Sequence, residues 1–448
     1  MEVMRHRMRT VVVGCVLLGL ALSNCGDGTV DEEAKDGVSG SPAQVEHLSS
    51  KLARAQPTSN DDDLRAAAAA TNAFALDLYR QWKKENANLV FSPYSIALAL
   101  AMTESGARGE TADELRRALH LTLSGDRLHG ALNALDQQIT HATSPVPGTA
   151  PLEITVANSL WGQAGYPFRS PFLDLLARHY GAGLRRVDYG RDPEEARVAV
   201  NAWAEEATNG RVKDVIPDGV IDSLTRLVLA DAIWFKAQWA REFSSQDTRE
   251  AGFHTVDGRT VRVPMMSQKD HKFLYGTGDG YQVAELPYWG GYTMTAILPA
   301  AGRFAELERT LSPARLDEIL SSLHQAVLDL QLPKFEFDAD ASLKDALAAL
   351  GVTAAFQPPS GSAGADFTGM TEARELFLRD VFHKAFISVD EHGTEAAAAT
   401  AMVLEAVSGA PPAVMHIDRP FLFLIRHQAS GTILFMGRVT DPTSSPSS

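Results

Sequence analysis

A hydrolase needs a nucleophile presented by a recognisable turn, and these 448 residues spell out none. There is no G-x-S-x-G elbow, no Walker loop and no H-E-x-x-H helix. Gly276, Gly278 and Gly280 alternate with other residues, but Tyr275 and Tyr281 flank them and no helical pattern comes after, so they read as a turn and not a dinucleotide cradle. The 13 histidines are scattered. A Ser/His/Asp triad can be drawn on paper from many of them, and nothing in the spacing selects one. Cys15 and Cys25 are the only cysteines, so the chain beyond them has no thiol nucleophile, cysteine metal site or internal disulfide. On these residues alone an enzyme is disfavoured. With 56 Asp and Glu against 41 Lys and Arg the net charge is −15, which argues against nucleic acid as a partner.

The informative stretch runs from Asp390 to Ser408, DEHGTEAAAATAMVLEAVS. By propensity it is a helix. At a period of two from Thr394, however, Thr394, Ala396, Ala398, Thr400, Met402, Leu404 and Ala406 fall on one face. Both charges, Glu395 and Glu405, fall on the other. From Thr394 to Ser408 there is neither Gly nor Pro, and small residues crowd its start, as a strand slipping between two others requires. A segment legible in two conformations fits one that adopts both; an ordinary amphipathic helix is the default for it in isolation.

The surrounding elements decide how such a segment is held. Hydrophobic residues make up 45% and charged residues 22%, an ordinary globular balance. Leu115–Leu121, Pro171–His179 and Asp192–Ala207 read as helices, the last ending at Asn209-Gly210. Thr225–Lys236, Tyr292–Leu298 and Val327–Phe337 have strand composition, and Phe421–Arg426 with Thr432–Gly437 flank a turn as a hairpin. The pattern lacks a regular βαβ rhythm, so the expected class is α+β. About 375 residues, 66–442, run without a linker or repeat and form one expected domain; 443–448 read as a polar tail.

At the N-terminus Arg5, Arg7 and Arg9 precede a 12-residue apolar run, Val11–Leu22, too short for a bilayer span and suited to a signal-peptide core over residues 1–25. The sequence Leu22-Ser23-Asn24-Cys25-Gly26 resembles a bacterial lipoprotein processing site, which implies lipidation of Cys25, although Asn24 departs from the small residue usual there. A cleaved secretory signal with Cys25 incidental is the alternative. The expected location is extracellular or in the cell envelope, with the membrane reached only through such an anchor. Residues 26–65 carry nine acids and four bases with no aromatic and only a few β-branched residues, and read as a disordered acidic tether.

Several blocks resemble the serpin family. Glu391-His392-Gly393-Thr394-Glu395, followed by Ala396, Ala397, Ala398, Ala399 and Thr400, is similar to the reactive-centre-loop hinge of its inhibitory members. Residues 88–96, NLVFSPYSI, resemble the F-S-P-x-S-I segment and 106–111 the G-A-x-G-x-T turn. Residues 200–203 resemble the N-x-W motif and 209–212 the adjoining T-x-G-K-I motif. Leu227–Phe243 is similar to the family's central-sheet strand, and 418–424 with 435–439 to its C-terminal signature. The blocks keep the family's order across about 66–442.

That resemblance implies three β-sheets, about nine helices and an exposed loop near the C-terminus. It implies a protein that is not an enzyme and needs no cofactor or metal, and that inhibits by a suicide-substrate route, in which a serine protease, or also a cysteine protease, cleaves the loop and is trapped as its acyl-enzyme while the loop inserts into the central sheet. The partner would be the target protease in covalent complex with a monomer; a non-inhibitory binding protein or chaperone is the alternative. Counting forward from Glu391 places the reactive bond between Val407 and Ser408, with Ala406–Val407 and Ser408–Gly409 as neighbouring choices. All put a small residue in the specificity pocket, implying elastase- or subtilisin-like targets. Ser92, Ser95 and His383 match the family's polar shutter beneath the sheet, with Asp231 at its usual asparagine; if Asp231 meets His383 it is expected to favour the protonated ring. Trp239 resembles the tryptophan at the breach, where the loop first enters.

Overall fold

The computed structural model describes residues 44–83, 86–140, 152–394 and 411–444. The helices begin where short polar side chains can satisfy free N–H groups. Asn60 accepts from Asp63 N (2.9 Å) to cap Asp61–Trp82, whose first turn holds Asp61, Asp62 and Asp63 and whose last holds Arg80. Ser92 caps Pro93–Gly106 with proline at the first turn, and nearly every residue of that helix is buried. Asp192 caps Pro193–Ala207, which ends as expected at Asn209 and Gly210, both at positive φ (52° and 79°). Two predicted helices shift: one covers Gly109–Ala118, and Ser170–Leu175 continues as a π turn over Leu176–Tyr180. Among the described residues there are nine α-helices, and none is long and apolar enough to cross a membrane.

The central sheet has seven strands in the order Glu46–Leu48, Leu184–Val187, Glu153–Gln163, Leu227–Gln238, Gly393–Thr394, Leu378–Val389 and Phe335–Ser342. A nine-stranded second sheet contains the predicted hairpin, Phe421–His427 with Ile433–Val439, beside Tyr292–Pro299. Counted by continuous hydrogen bonding, the expected three sheets are therefore two among the described residues. The third is fused to the second through the 19-residue strand Thr260–Gly278, which pairs in turn with Arg249–His254, His324–Pro333 and Tyr281–Pro287. The predicted strand Val327–Phe337 is two strands in different sheets, His324–Pro333 and Phe335–Ser342. Pro333 cannot donate to a ladder, and the chain crosses at Lys334, whose N–H donates to Pro264 O (2.9 Å). Phe335–Ser342 is the outer edge of the central sheet and exposes Glu336, Asp338 and Asp340 at alternate positions.

Apolar side chains of both sheets meet in the main core, with Phe235, Ala237 and Trp239 against Tyr288, Tyr292 and Phe435. On the opposite face of the central sheet, Trp161, Ala230, Ala232 and Phe382 pack under Val200 and Ala204 of the helix Pro193–Ala207.

The predicted tether is corrected for residues 44–65. Glu46–Leu48 pairs antiparallel with Leu184–Val187, Arg54 donates to Asn133 Oδ1 (2.8 Å) and Asp136 Oδ2 (2.5 Å), and Ala55 N donates to Arg178 O (2.8 Å). Composition misses this segment because its order comes largely from backbone pairing and polar contacts, such as those of Arg54 and of Asn133 and Gln137 with Ala55 O, with only Leu48 and Leu64 packing on the cores. Residues 26–43 lie outside the described residues. At the other end Thr443 and Ser444 are tied to Asp441 and Asn88.

Candidate functional site: a sheet held open at its top

The strand Leu378–Val389 turns at Asp390–His392 and re-enters the sheet as Gly393–Thr394. Asp390 Oδ1 accepts from the N–H groups of His392 (2.8 Å) and Gly393 (3.2 Å), which closes the turn. Trp239 fixes it from the neighbouring strand end: its N–H donates to His392 O (2.9 Å) and its indole Nε1 to Asp390 O (3.0 Å). Glu391 is buried and accepts from Lys334 Nζ (2.7 Å) and Thr248 Oγ1 (2.8 Å). Burial works against its charge, but the bonds from Lys334, the backbone and Thr248 outweigh this and hold the carboxyl below its ordinary range. His392 Nδ1 lies 3.3 Å from Glu242 Oε2.

Gly393 has φ 153°, and a Cβ there would sit 2.1 Å from Ala237 O. Only glycine lets the chain pass this close to the strand beside it. Thr394 comes next, 1% exposed, paired with Ala237 on one side and Val389 on the other, antiparallel to both strands. Its hydroxyl meets Tyr288 OH at 2.8 Å, and the Tyr288 ring stacks on Trp239 at 4.2 Å and 10°. Burial pushes the Tyr288 phenol well above its ordinary pKa, so it stays a neutral hydrogen-bonding group.

Below Thr394 the flanking strands come together. Leu227–Ile233 pairs directly and in parallel with Leu378–Ala385, whereas Trp234–Lys236 and Phe386–Ser388, just above, share no ladder. The paired part is closed by a fully buried polar cluster. His383 Nδ1 and Ser95 Oγ both reach Asp231 Oδ1 (3.0 and 2.9 Å), Ser92 N donates to His383 Nε2 (3.1 Å), and Ser92 Oγ accepts from Ser95 N (3.1 Å). The expected Asp231–His383 meeting occurs, but the expected protonated ring does not fit it. Nε2 needs its lone pair to accept from Ser92 N–H, so the imidazole is the neutral tautomer with its proton on Nδ1, donated to Asp231. Among the described residues Asp231 Oδ2 has no hydrogen-bond partner.

Sequence reasoning missed Asn158, Tyr288, Lys334, Thr248 and Glu242. Asn158, which exchanges hydrogen bonds with Ser95 (both 3.0 Å), is the one polar residue on the inward face Ile154, Val156, Asn158, Leu160, a break in period two that could have flagged it. Of the predicted residues, Glu391, Gly393, Thr394 and Trp239 meet at the top of the sheet, and Ser92, Ser95, Asp231 and His383 meet lower down. Glu395–Thr400, the reactive-bond candidates Val407 and Ser408, and Cys25 lie outside the described residues.

The serpin (serine protease inhibitor) family profile matches residues 69–442. The chain belongs to the serpin family. It is 40% identical over 379 residues to an uncharacterized serpin-like protein of Thermococcus kodakarensis, covering 83% of this chain and 85% of that one. It is 38% identical over 386 residues to the leukocyte elastase inhibitor of Bos taurus, covering 84% of this serpin and 99% of the relative. Among solved structures, the thermophilic serpin tengpin in its native state superposes with a TM-score of 0.77 at 26% identity, over 89% of this chain and all of that one. Uncleaved ovalbumin gives 0.74 at 26% identity, over 84% of this chain and all of that one. The α+β fold expected from the motifs is thus the family's fold.

Proposed function

We propose that this serpin inhibits serine proteases as a suicide substrate, with elastase- or subtilisin-like enzymes as targets. One observation carries the reading: Gly393–Thr394 already occupies a strand position between two strands that separate above Ala385 and Ile233 to receive it. The protease serine attacks the carbonyl carbon of Val407, the bond to Ser408 breaks, and the acyl-enzyme ester ties the protease to the freed segment. That segment continues the register begun by Thr394. Ala396 falls opposite Phe235 and Ile387, Ala398 opposite Ile233 and Ala385, and Thr400 between Asp231 and His383, on the inward face; Glu395 falls beside Lys236 on the outward one.

The register explains the composition. Ala397 and Ala399 must pass Trp234 and Ala232 beneath the helix Pro193–Ala207, where larger side chains meet an occupied core. A new strand displaces neighbours by about 4.8 Å, so the 3.0 Å contact between His383 and Asp231 must break as Thr400 arrives. About a dozen new ladder bonds, each worth about 0.5–1.5 kcal/mol net, supply the driving force.

Mixing with pancreatic elastase and running a denaturing gel tests this. A detergent-stable complex, with cleavage within Ala406–Gly409 located by mass spectrometry, is expected. Cleavage without a complex supports a non-inhibitory serpin instead, and a covalent trypsin complex refutes the target class.

A further inference from the structure

A cavity of about 410 Å³ opens where the C-terminal end of the helix Pro93–Gly106 meets the helices Gly109–Ala118 and Gly125–Thr140 near their starts. Glu104 and His129, each 3% exposed, form its floor, and the exposed Asp113 and Asp126 stand at its rim. The volume suits a small organic molecule. No residue of its lining belongs to the buried cluster at His383 or to the turn at Thr394.

The floor holds one donor and one acceptor that bond to nothing among the described residues. The Tyr180 hydroxyl has His129 Nδ1 as its single hydrogen-bond partner there (2.7 Å), so it donates to that nitrogen and the imidazole proton sits on Nε2. Burial, and then the field of His179, push the His129 pKa down to about 4, which keeps the ring neutral. Glu104 Oε1 accepts from Arg116 Nε (2.5 Å), whereas Oε2 lies 3.9 Å from His129 Nε2, too far for a direct bond. A donor and an acceptor at that separation admit one hydroxyl oxygen, which accepts from Nε2–H and donates to Oε2.

The rim supplies charge of one sign. Arg116 is engaged by Glu104, and Arg108, the other cation of the lining, donates to the carbonyls of Ser105 (3.1 Å) and Ala107 (2.6 Å). Asp113 and Asp126 form no ion pair and no side-chain hydrogen bond among the described residues.

We propose that this cavity binds a small polyhydroxylated amine of the size of an amino sugar, with a hydroxyl between His129 and Glu104 and the ammonium at Asp113 and Asp126. The paired donor and acceptor of the floor select the hydroxyl. The two uncommitted carboxylates select the cation. The site uses none of the residues that carry the inhibition reading and stands or falls separately from it.

The test is calorimetric titration of the full chain at neutral pH with D-glucosamine, and with D-glucose, which has a hydroxyl in place of the ammonium. One glucosamine per chain at millimolar affinity or tighter is expected, with glucose at least tenfold weaker. The double variant Asp113→Asn with Asp126→Asn should weaken glucosamine at least tenfold and leave glucose unchanged. His129→Phe, which keeps a ring but loses Nε2–H, should weaken both, with circular dichroism confirming that each variant is folded. In the parent chain, the NMR signal of the His129 ring should move as glucosamine saturates the site. Equal affinity for the two sugars, or glucosamine binding unchanged in the double variant, overturns the ammonium assignment. Unchanged binding in His129→Phe, or a His129 signal unmoved at saturation, overturns the floor. Absence of glucosamine binding overturns the proposal.

Discussion

The same two strands, Leu227–Gln238 and Leu378–Val389, are held in opposite ways at their two ends. At the top they are wedged apart by Gly393–Thr394, and the polar groups that steady the wedge, Lys334, Glu242 and His392, are partly exposed. Lower down they pair directly over Asp231 and His383, both fully buried. The top is therefore where another strand starts cheaply, and the bottom is where its advance meets resistance. A protein that inserts part of itself needs both, since a sheet closed throughout never accepts the strand and one open throughout accepts it before any protease arrives.

The comparison is broken most severely at Thr394. Thr394→Arg puts a guanidinium where the threonine is 1% exposed, at an effective cost of several kcal/mol. Loop insertion slows while the reactive bond stays accessible, so the variant is expected to be cleaved where the parent is but to release active elastase, its stoichiometry of inhibition rising more than tenfold. Glu395→Arg, which the proposed inserted register turns outward, is expected to keep most inhibition. If both variants trap elastase as the parent does, the inward and outward assignment fails.

Next comes Gly393→Ala. A Cβ 2.1 Å from Ala237 O forces the wedge out of its seat, and a loss of about 2–4 kcal/mol in urea unfolding is expected. Asp231→Asn sharpens the lower end instead. The amide keeps the Oδ1 contacts of Asp231 and replaces the Oδ2 that has no partner among the described residues. The native state should gain about 1–3 kcal/mol, and loop insertion after cleavage should slow, which stopped-flow tryptophan fluorescence reads. A variant less stable than the parent would mean the carboxylate is needed there.

The smallest effect is at Lys334. Because the Glu391 carboxyl titrates below its ordinary range in the folded protein, its contribution is present above the unfolded value of about 4.3 and is lost as pH falls through the folded one. Lys334→Ala should cost less than about 1 kcal/mol at neutral pH. Its stability should also fall less steeply than the parent's between about pH 5 and pH 3, as followed by urea midpoints.

Much of this was legible from the chain. The Gly393-Thr394 hinge and its alternation announce a strand, and the family resemblance brings Ser92, Ser95, Asp231 and His383 together as one cluster. The segment at 44–60 was hidden because a backbone ladder to Leu184–Val187 leaves no trace in composition. Lys334 and Tyr288 were hidden because each is one polar group within a strand pattern, given meaning only by a partner more than 50 residues away. The protonation of His383 cannot be read from its neighbour Asp231 alone, since the deciding contact is the backbone N–H of Ser92, which no side-chain pattern encodes.

The outer strand Phe335–Ser342 bears on how the molecules behave in company. A sheet that takes in a strand of its own chain, as the proposed mechanism requires, is at risk of accepting one from a neighbour, and its outer edge is the exposed place for that. Here Glu336, Asp338 and Asp340 stand in a row on that edge. A second copy approaching edge to edge in antiparallel register would set carboxylate against carboxylate, an arrangement that repels. The net charge of −15 adds to that repulsion at longer range. Sharing strands between molecules is thereby discouraged from the side, while the strand position at Thr394 is already held by the chain it belongs to.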